Sequence, residues 1–333
     1  MAVDDWTAPT TRATNFVVTA DVWNTDIVND LTALFNAMVG DASADVALPH
    51  LHKNGTFANR PAASSAMVGR TYLCTDVGLE YICLPNAYAA SPTHVWYPSR
   101  HIPALCDHFS EDFVARPHGT TTAAVPAWHA AEGWQISATV TTDTGLMING
   151  PVSLLQLLCD VQNDNNYLLS AQLWVPTANY VPMHVQVRPG NASASAGVQC
   201  MFGWGDSAGS GATVPNNFIG YIVDPDNAAG EGVSTTWYAI CRQGSVTRRF
   251  TNTTVSMTAG QNHLFEVICK NAVTVQFYVD GAQVGTDLDL TATPIITDMS
   301  WRFRARKTDA GATDRSWTLD HLAWWKRRKR ITD

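Results

Sequence analysis

The chain is short of the residues on which most hydrolytic catalysts rely. Only 15% of its 333 residues are charged, and glutamate occurs five times, at 80, 111, 132, 231 and 266. No two of these glutamates fall within one short strand. A paired-glutamate general acid and base on a single element is therefore excluded. There is no HExxH and no phosphate-binding glycine loop. Gly203-Trp-Gly205 and Gly209–Gly211 read as turns. Histidines are scattered and form no recognisable triad.

Other absences narrow the class. The seven cysteines (74, 83, 106, 159, 200, 241 and 269) include no CxxC pair, and an odd count makes a poor disulfide framework and a poor zinc site. Most lie among apolar neighbours, as in Phe265-Glu-Val-Ile-Cys269, and read as reduced core residues made in a cytoplasm. The start, MAVDDW, is acidic and lacks the apolar stretch of a signal peptide. No run reaches transmembrane length, so membrane insertion is not expected. A protein of this kind acting outside its producing cell is expected to leave by lysis or on a particle. The net charge of −8 carries no electrostatic reason to bind nucleic acid. Lys326–Arg330 (KRRKR) is the single basic run and reads as an exposed tail or a subunit contact.

What is present is organised in three parts, expected at 1–50, 51–104 and 105–333. The first is a polar arm followed by a helix. Thr19 is a natural N-cap and Asp21 suits the first turn. Trp23, Ile27, Leu31, Leu34, Phe35 and Met38 fall on one helical face, and Gly40 ends it. A single helix of this length is marginal alone, so the stripe is read as an assembly element. The second part places short β runs, Thr71–Thr75 and Glu80–Leu84, around the turn Asp76-Val-Gly78, with His94–Tyr97 closing the unit. His50 and His52 lack a third ligand and read as exposed polar residues.

From about residue 107 the pattern is strand after strand. In Leu264–Val284, Phe265, Val267 and Cys269 alternate with Glu266, Ile268 and Lys270. Val273, Val275, Phe277 and Val279 then alternate with Thr274, Gln276, Tyr278 and Asp280, and Asp280-Gly281 makes a tight turn. Trp301, Phe303 and Ala305 alternate likewise with Arg302, Arg304 and Arg306. This predicts an antiparallel meander with one buried face. The fold class expected is mainly β: a short N-terminal helix and a small β module, followed by a two-sheet antiparallel jelly-roll sandwich.

Two resemblances attach to these residues. The helix start Thr19-Ala-Asp-Val-Trp23-Asn, and the run Gly55-Thr-Phe-Ala-Asn-Arg-Pro-Ala62 with Gly69-Arg70, Tyr72 and Thr75–Gly78, resemble the N-terminal modules of tailed-bacteriophage tail fibres and related virion proteins. The run Phe265–Thr286, with Ser316–Trp325, resembles the concanavalin A-like (laminin-G-like) jelly roll. The first resemblance implies a phage virion structural protein, a tail fibre or receptor-binding protein attached by its N-terminal region to other virion proteins. It also implies a homotrimer located in the virion and made in the host cytoplasm. A capsid decoration or head-fibre protein is the variant. The second scaffold hosts lectins, glycan-cleaving enzymes and structural modules alike. A glycan-binding or glycan-cleaving depolymerase is thus the alternative, with a host cell-surface glycan as partner.

Glycoside hydrolases on that scaffold resemble one another in a Glu-x-Asp-x-(x)-Glu strand, whose retaining chemistry needs two carboxylates about 5–5.5 Å apart. This chain has no such strand, and Asp287 and Asp289 share a face without a glutamate. The expectation is therefore a protein that is not an enzyme and has no resident cofactor. Asp224, Asp226 and Asn227 form a candidate Ca²⁺ loop, or an ordinary polar turn. Trp204, Trp237 and Trp325 are candidate stacking platforms for sugars, with Trp324 beside them. Arg302, Arg304 and Arg306 share a strand face, which suits either an acidic glycan or carboxylates of a neighbouring strand or subunit.

Overall fold

The computed structural model describes residues 53–101 except 76–77 and 88 and, from 106 onward, the strands and the turns that join most of those after 197. Contacts divide the chain into Met1–Arg100 and His101–Asp333. The expected helix bearing Trp23, Ile27, Leu31, Leu34 and Phe35 lies outside the described residues.

The first unit is a four-stranded sheet in the order β1 (Lys53–Gly55), β2 (Thr71–Cys74), β3 (Leu79–Pro85), β4 (His94–His101). β2 and β3 form the antiparallel hairpin expected around Gly78, which turns at φ 76°, while β1 lies parallel to β2. The run that resembles fibre modules builds this unit's interior. The Arg60 guanidinium lies 4.4 Å from the ring centres of both Phe57 and Tyr81 and 6.0 Å from that of Trp96. Trp96 Nε1 donates to Pro61 O (2.8 Å), and Tyr72 Oη donates to Thr56 O (3.3 Å). A planar cation among aromatic faces gains from the ring quadrupoles and covers apolar surface with its stem.

Among the described residues the second unit is a two-sheet sandwich of seventeen strands: β5 (Cys106–Glu111), β6 (Thr120–Thr122), β7 (Trp134–Ser137), β8 (Thr144–Asn149), β9 (Leu154–Cys159), β10 (Asn165–Trp174), β11 (Met183–Asn191), β12 (Val198–Gly205), β13 (Phe218–Asp224), β14 (Ser234–Gln243), β15 (Val246–Ser256), β16 (Phe265–Asn271), β17 (Thr274–Val279), β18 (Ala282–Gln283), β19 (Leu288–Asp289), β20 (Met299–Lys307) and β21 (Arg315–Arg327). One sheet has seven strands in the order β15-β14-β13-β12-β20-β10-β7. The other has ten, ordered β18-β17-β16-β11-β21-β9-β8-β6, with β19 on β17 and β5 on β21. The ladders among the described residues of this unit are antiparallel, as a jelly roll requires.

The two inner faces meet through aromatic rings. Phe202 and Trp237 from the seven-stranded sheet lie 5.3 and 5.0 Å from Phe265 of the ten-stranded one, and Trp237 lies 5.2 Å from Trp317. Tyr221 adds a polar link: its hydroxyl lies 2.9 Å from Glu266 O and 2.8 Å from Tyr278 O across the interface. Burial pushes this phenol well above its ordinary pKa, so it stays a neutral donor.

The alternation read in Leu264–Val284 is present. Phe265, Val267, Cys269, Val275, Phe277 and Val279 enter the core, and Asp280-Gly281 turns the chain with φ 51° and 80°. The expectation of a single buried face is corrected. Glu266, Ile268 and Gln276, on the other face, are also buried, and β12 and β13 are buried at every residue. Alternation marks which side chains share a face; it does not say whether the second face is covered.

The contact between β12 and β13 depends on glycine. Gly203 stands opposite Gly220, and a Cβ on Gly220 would lie 2.1 Å from Phe202 O and 2.7 Å from Gly203 Cα. Gly220→Ala is therefore expected to force these central strands apart and to cost about 1–3 kcal/mol, read from a denaturant midpoint. Phe277→Ala and Trp237→Ala, both core truncations, should each cost about 3–5 kcal/mol. Tyr278→Ala, on the half-buried outer side, should cost clearly less. Equal losses at Phe277 and Tyr278 would reverse the facing assigned to β17.

Candidate functional site

β20 lies inside the seven-stranded sheet, between β12 and β10. Its side chains alternate as the sequence predicts: Trp301, Phe303 and Ala305 enter the core, which turns Arg302, Arg304 and Arg306 to the opposite face. Residues on one strand face repeat every ~6.6 Å, so the three guanidinium stems form a row. Across the ladders they stand opposite Gly203, Met201 and Gln199 on β12 and Leu169, Tyr167 and Asn165 on β10.

One nitrogen of each arginine donates to a neutral oxygen. Arg302 Nη2 donates to Gly205 O (2.5 Å), Arg304 Nη2 to Gln199 Oε1 (2.6 Å) and Arg306 Nη2 to Asn163 Oδ1 (2.6 Å). Gly205 has to be glycine here, since a Cβ would lie 2.8 Å from Arg302 Nε and 3.0 Å from Pro215 Cγ. Arg302 and Arg304 are 2% and 1% exposed, whereas Arg306 is half-buried. Burial, and then the charges of Arg306 and Arg302, bring the Arg304 pKa down to about 10. Burial also lowers Arg306. The charge of Asp224 opposes both shifts.

The same sheet face divides into two halves. Met201, Phe218, Ile222 and Ile240 pack with Val214 into an apolar cluster separate from the main core. The other half is polar: Gln199, Asp224, Arg302 and Arg304, all buried. Beyond Arg306, the turn at Asp226 meets the turn after β20 through Thr308 Oγ1, which donates to Asp226 Oδ2. Gln162 Nε2 donates to Thr308 O (3.2 Å).

These positions correct several sequence expectations. Trp204 and Trp237 are core residues at 2% and 3% exposure, so they are not sugar platforms; bulky indoles on inward strand positions complete the packing. Trp324 also enters the core, 6.4 Å from Trp204. Trp325 faces the other way, as adjacency on a strand demands, but it too is buried. In the candidate Ca²⁺ loop, Asp224 acts on the arginine row and Asp226 accepts from Thr308; Asn227 lies outside the described residues. Among the described residues no group of three or more His, Cys, Asp or Glu side chains is placed to hold a metal ion. Asp287 Oδ1 accepts from Gln276 Nε2 (2.5 Å) and Gln283 Nε2 (2.9 Å), on the other sheet.

Sequence reasoning missed Gln199 and Asn163 as partners of the arginines. An isolated amide inside an apolar strand such as Val-Gln-Cys-Met-Phe is a signal for Gln199, because a buried amide requires a partner. Asn163 lies in a turn with a φ of 74°, a conformation that asparagine adopts more readily than most residues. The cysteines read as core residues are buried at 74, 83, 159, 200, 241 and 269, with burial raising the thiol pKa of Cys83, Cys200 and Cys269.

Comparison with known proteins yields no matching family model and no matching curated protein. Solved structures do match. A glycoside hydrolase family 16 endo-glucanase from Bacteroides ovatus has TM-score 0.46 and 10% identity, over 66% of this chain and 99% of its own. A glycosyl hydrolase family protein from Mycobacterium fortuitum has TM-score 0.44 and 14% identity, over 65% and 98%. An alginate lyase has TM-score 0.40 and 8% identity, over 54% and 77%. The jelly-roll sandwich class of these structures is the one the strand topology establishes. The expectation that the chain is not an enzyme is corrected on this finding, because the structures it is similar to include hydrolases and a lyase.

Proposed function

We propose that the sandwich unit recognises a glycan on the outer face of its seven-stranded sheet, as a glycan-binding or glycan-cleaving protein. The observation that carries this reading is the polar half of that face. Gln199, Asp224, Arg302 and Arg304 are buried beside an apolar cluster on the same face. Burying amide, carboxylate and guanidinium groups is costly, and apolar side chains would cover a sheet at less cost. Enclosed in this way, the amide, carboxylate and guanidinium groups position the half-buried Arg306, whose guanidinium supplies donors to a polyhydroxylated ligand.

A second reading is that the chain is a structural component of a tailed-phage virion, as a tail fibre, receptor-binding or decoration protein. It is favoured by the first unit, where the residues of the fibre-like run (Arg60, Pro61 and Tyr72) form the interior contacts. In that setting the partners are other virion proteins and further copies of the chain, and the glycan belongs to a host surface. The two readings are compatible.

The purified chain should bind at least one polysaccharide in a panel of neutral and acidic polymers by isothermal calorimetry. Parallel samples read for new reducing ends and for ultraviolet absorbance of unsaturated ends separate binding from cleavage. A chain that is folded by circular dichroism yet silent against the whole panel sinks the glycan reading. Images of purified particles in which no density corresponds to this chain sink the virion reading.

A further inference from the structure

We propose that the outer face of the seven-stranded sheet holds a glycine-floored groove that the chain plugs with its own Val214 and Pro215, so that part of the glycan-binding face is autoinhibited until this strap is displaced. The inference rests on the glycan reading above and adds a subsite to that face and a control on it.

The floor follows from register. Gly203 on β12 stands between Arg302 on β20 and Gly220 on β13, and Gly220 stands beside Ile240 on β14. A Cβ on Gly203 would lie 2.2 Å from Ile219 O, and one on Gly220 2.1 Å from Phe202 O, so neither position accepts a side chain. Two adjacent strands therefore run bare at one level of the face. The walls are unlike. Arg302 closes one end and Ile240 the other, with Met201 and Ile222 along one flank and Gly205 and Phe218 along the opposite one.

The strap lies over this floor. Val214 is 2% exposed and packs with Met201, Phe218, Ile222 and Ile240, the apolar residues around the two glycines. Pro215 is buried too, and its Cγ and Arg302 Nε lie 3.0 and 2.8 Å from one point, the position that a Cβ on Gly205 would take. Val214 thus covers the apolar end and Pro215 the Arg302 end. Val214, Pro215 and Asn216 belong to no strand, and proline has no N–H to give a ladder. The strap is held at its edges: Arg242 Nη1 donates to Val214 O (2.8 Å), Asn217 Nδ2 to Asp206 Oδ2 (2.7 Å) and the Gly244 N–H to Asn217 Oδ1 (3.1 Å). Displacing it leaves the ladders intact, because it belongs to none of them. The opened groove presents guanidinium donors at one end and an apolar wall at the other, which suits the hydroxyls and the C–H face of a sugar ring. A ligand that must first displace the strap binds more weakly than the open face allows, in proportion to the fraction of molecules open.

The test uses the full-length chain and two variants that loosen the strap without altering the floor, Val214→Ser and Asn217→Ala. Opening is read with phenylglyoxal, an arginine-directed dicarbonyl, by mass spectrometry of the modified peptides. Arg302 should react slowly in the unaltered chain. It should react roughly tenfold to a hundredfold faster in Val214→Ser, which loses a buried apolar side chain. It should react about tenfold faster in Asn217→Ala, which loses the bonds to Asp206 and Gly244. Arg100, whose side chain is 71% exposed, should react equally in every sample. A soluble β-glucan and a polyuronate are the binding probes, and the polymer that binds should bind both variants more tightly by similar factors. Unchanged Arg302 reactivity in folded variants overturns the plug. Faster Arg302 reaction without tighter binding of a polymer that the unaltered chain holds overturns the autoinhibition and leaves the glycan reading standing. If neither polymer binds the opened variants, the groove is not a site for them and the autoinhibition falls; silence of the whole polymer panel removes the glycan reading as well. Hydrogen exchange in the unaltered chain decides if both variants fail to fold. The Val214 and Asn216 amides should exchange faster than that of Gly220 beneath them, and equally slow exchange overturns the strap.

Discussion

The sandwich depends on an aromatic seam between its sheets. Phe202, Tyr221 and Trp237 on one inner face interlock with Phe265, Phe277 and Trp317 on the other. Tilted and edge-to-face contacts of this kind contribute about 0.5–1.5 kcal/mol each beyond the area they bury. The Tyr221 hydroxyl, set between two backbone oxygens of the opposite sheet, adds direction to an otherwise non-directional core. With Phe202, Tyr221 and Trp237 held inward, strand pleating leaves their neighbours no choice of side. Gly203, Gly220, Ile222 and Tyr238 must face out. On β20 the inward Trp301, Phe303 and Ala305 impose the same on Arg302, Arg304 and Arg306. The arginine row is therefore a consequence of the core's register. Slipping β20 by one residue would put the arginines in the seam and three apolar groups on the polar face.

The glycine pair at 203 and 220 belongs to the same constraint. Phe202 and Ile219 point inward, and their carbonyl oxygens lie where a Cβ on the facing glycine would have to go. Close approach of β12 and β13 keeps the aromatic rings in contact and leaves the outer face bare of side chains at that point. Gly205 then gives Arg302 room to reach backward to a peptide oxygen. Core packing and site geometry are set by the same residues, so changes made for one will register in the other.

Much of this architecture was legible in the sequence, and the reason is local. Alternation in Leu264–Val284 and Trp301–Arg306 is a property of neighbouring residues, and so are the Asp280-Gly281 turn and the hairpin at Gly78. What covers a face is not local. Trp204 and Trp237 look the same in sequence whether they meet a sugar or a second sheet; their fate depends on Phe265, Trp317 and Trp324, distant along the chain. Asp224 looked like a turn residue with metal-binding chemistry because Pro225 and Asp226 follow it. Its charge acts on arginines eighty and more positions away, a relation no short window contains. The row Arg302–Arg306 was visible as a shared face, but its anchors Gln199 and Asn163 were not, since each comes from a different strand or turn.

The electrostatics of the chain follow from the contrast between its average and its parts. An excess of acidic residues, 29 against 21 lysines and arginines, keeps the general surface negative. Such a surface discourages anionic ligands everywhere except where the fold concentrates positive charge. The fold does this by placing arginines at alternate positions on a strand whose inward side chains are fixed by packing. Enclosure then reduces the screening of Arg302 and Arg304, while Asp224 limits their mutual repulsion without removing it.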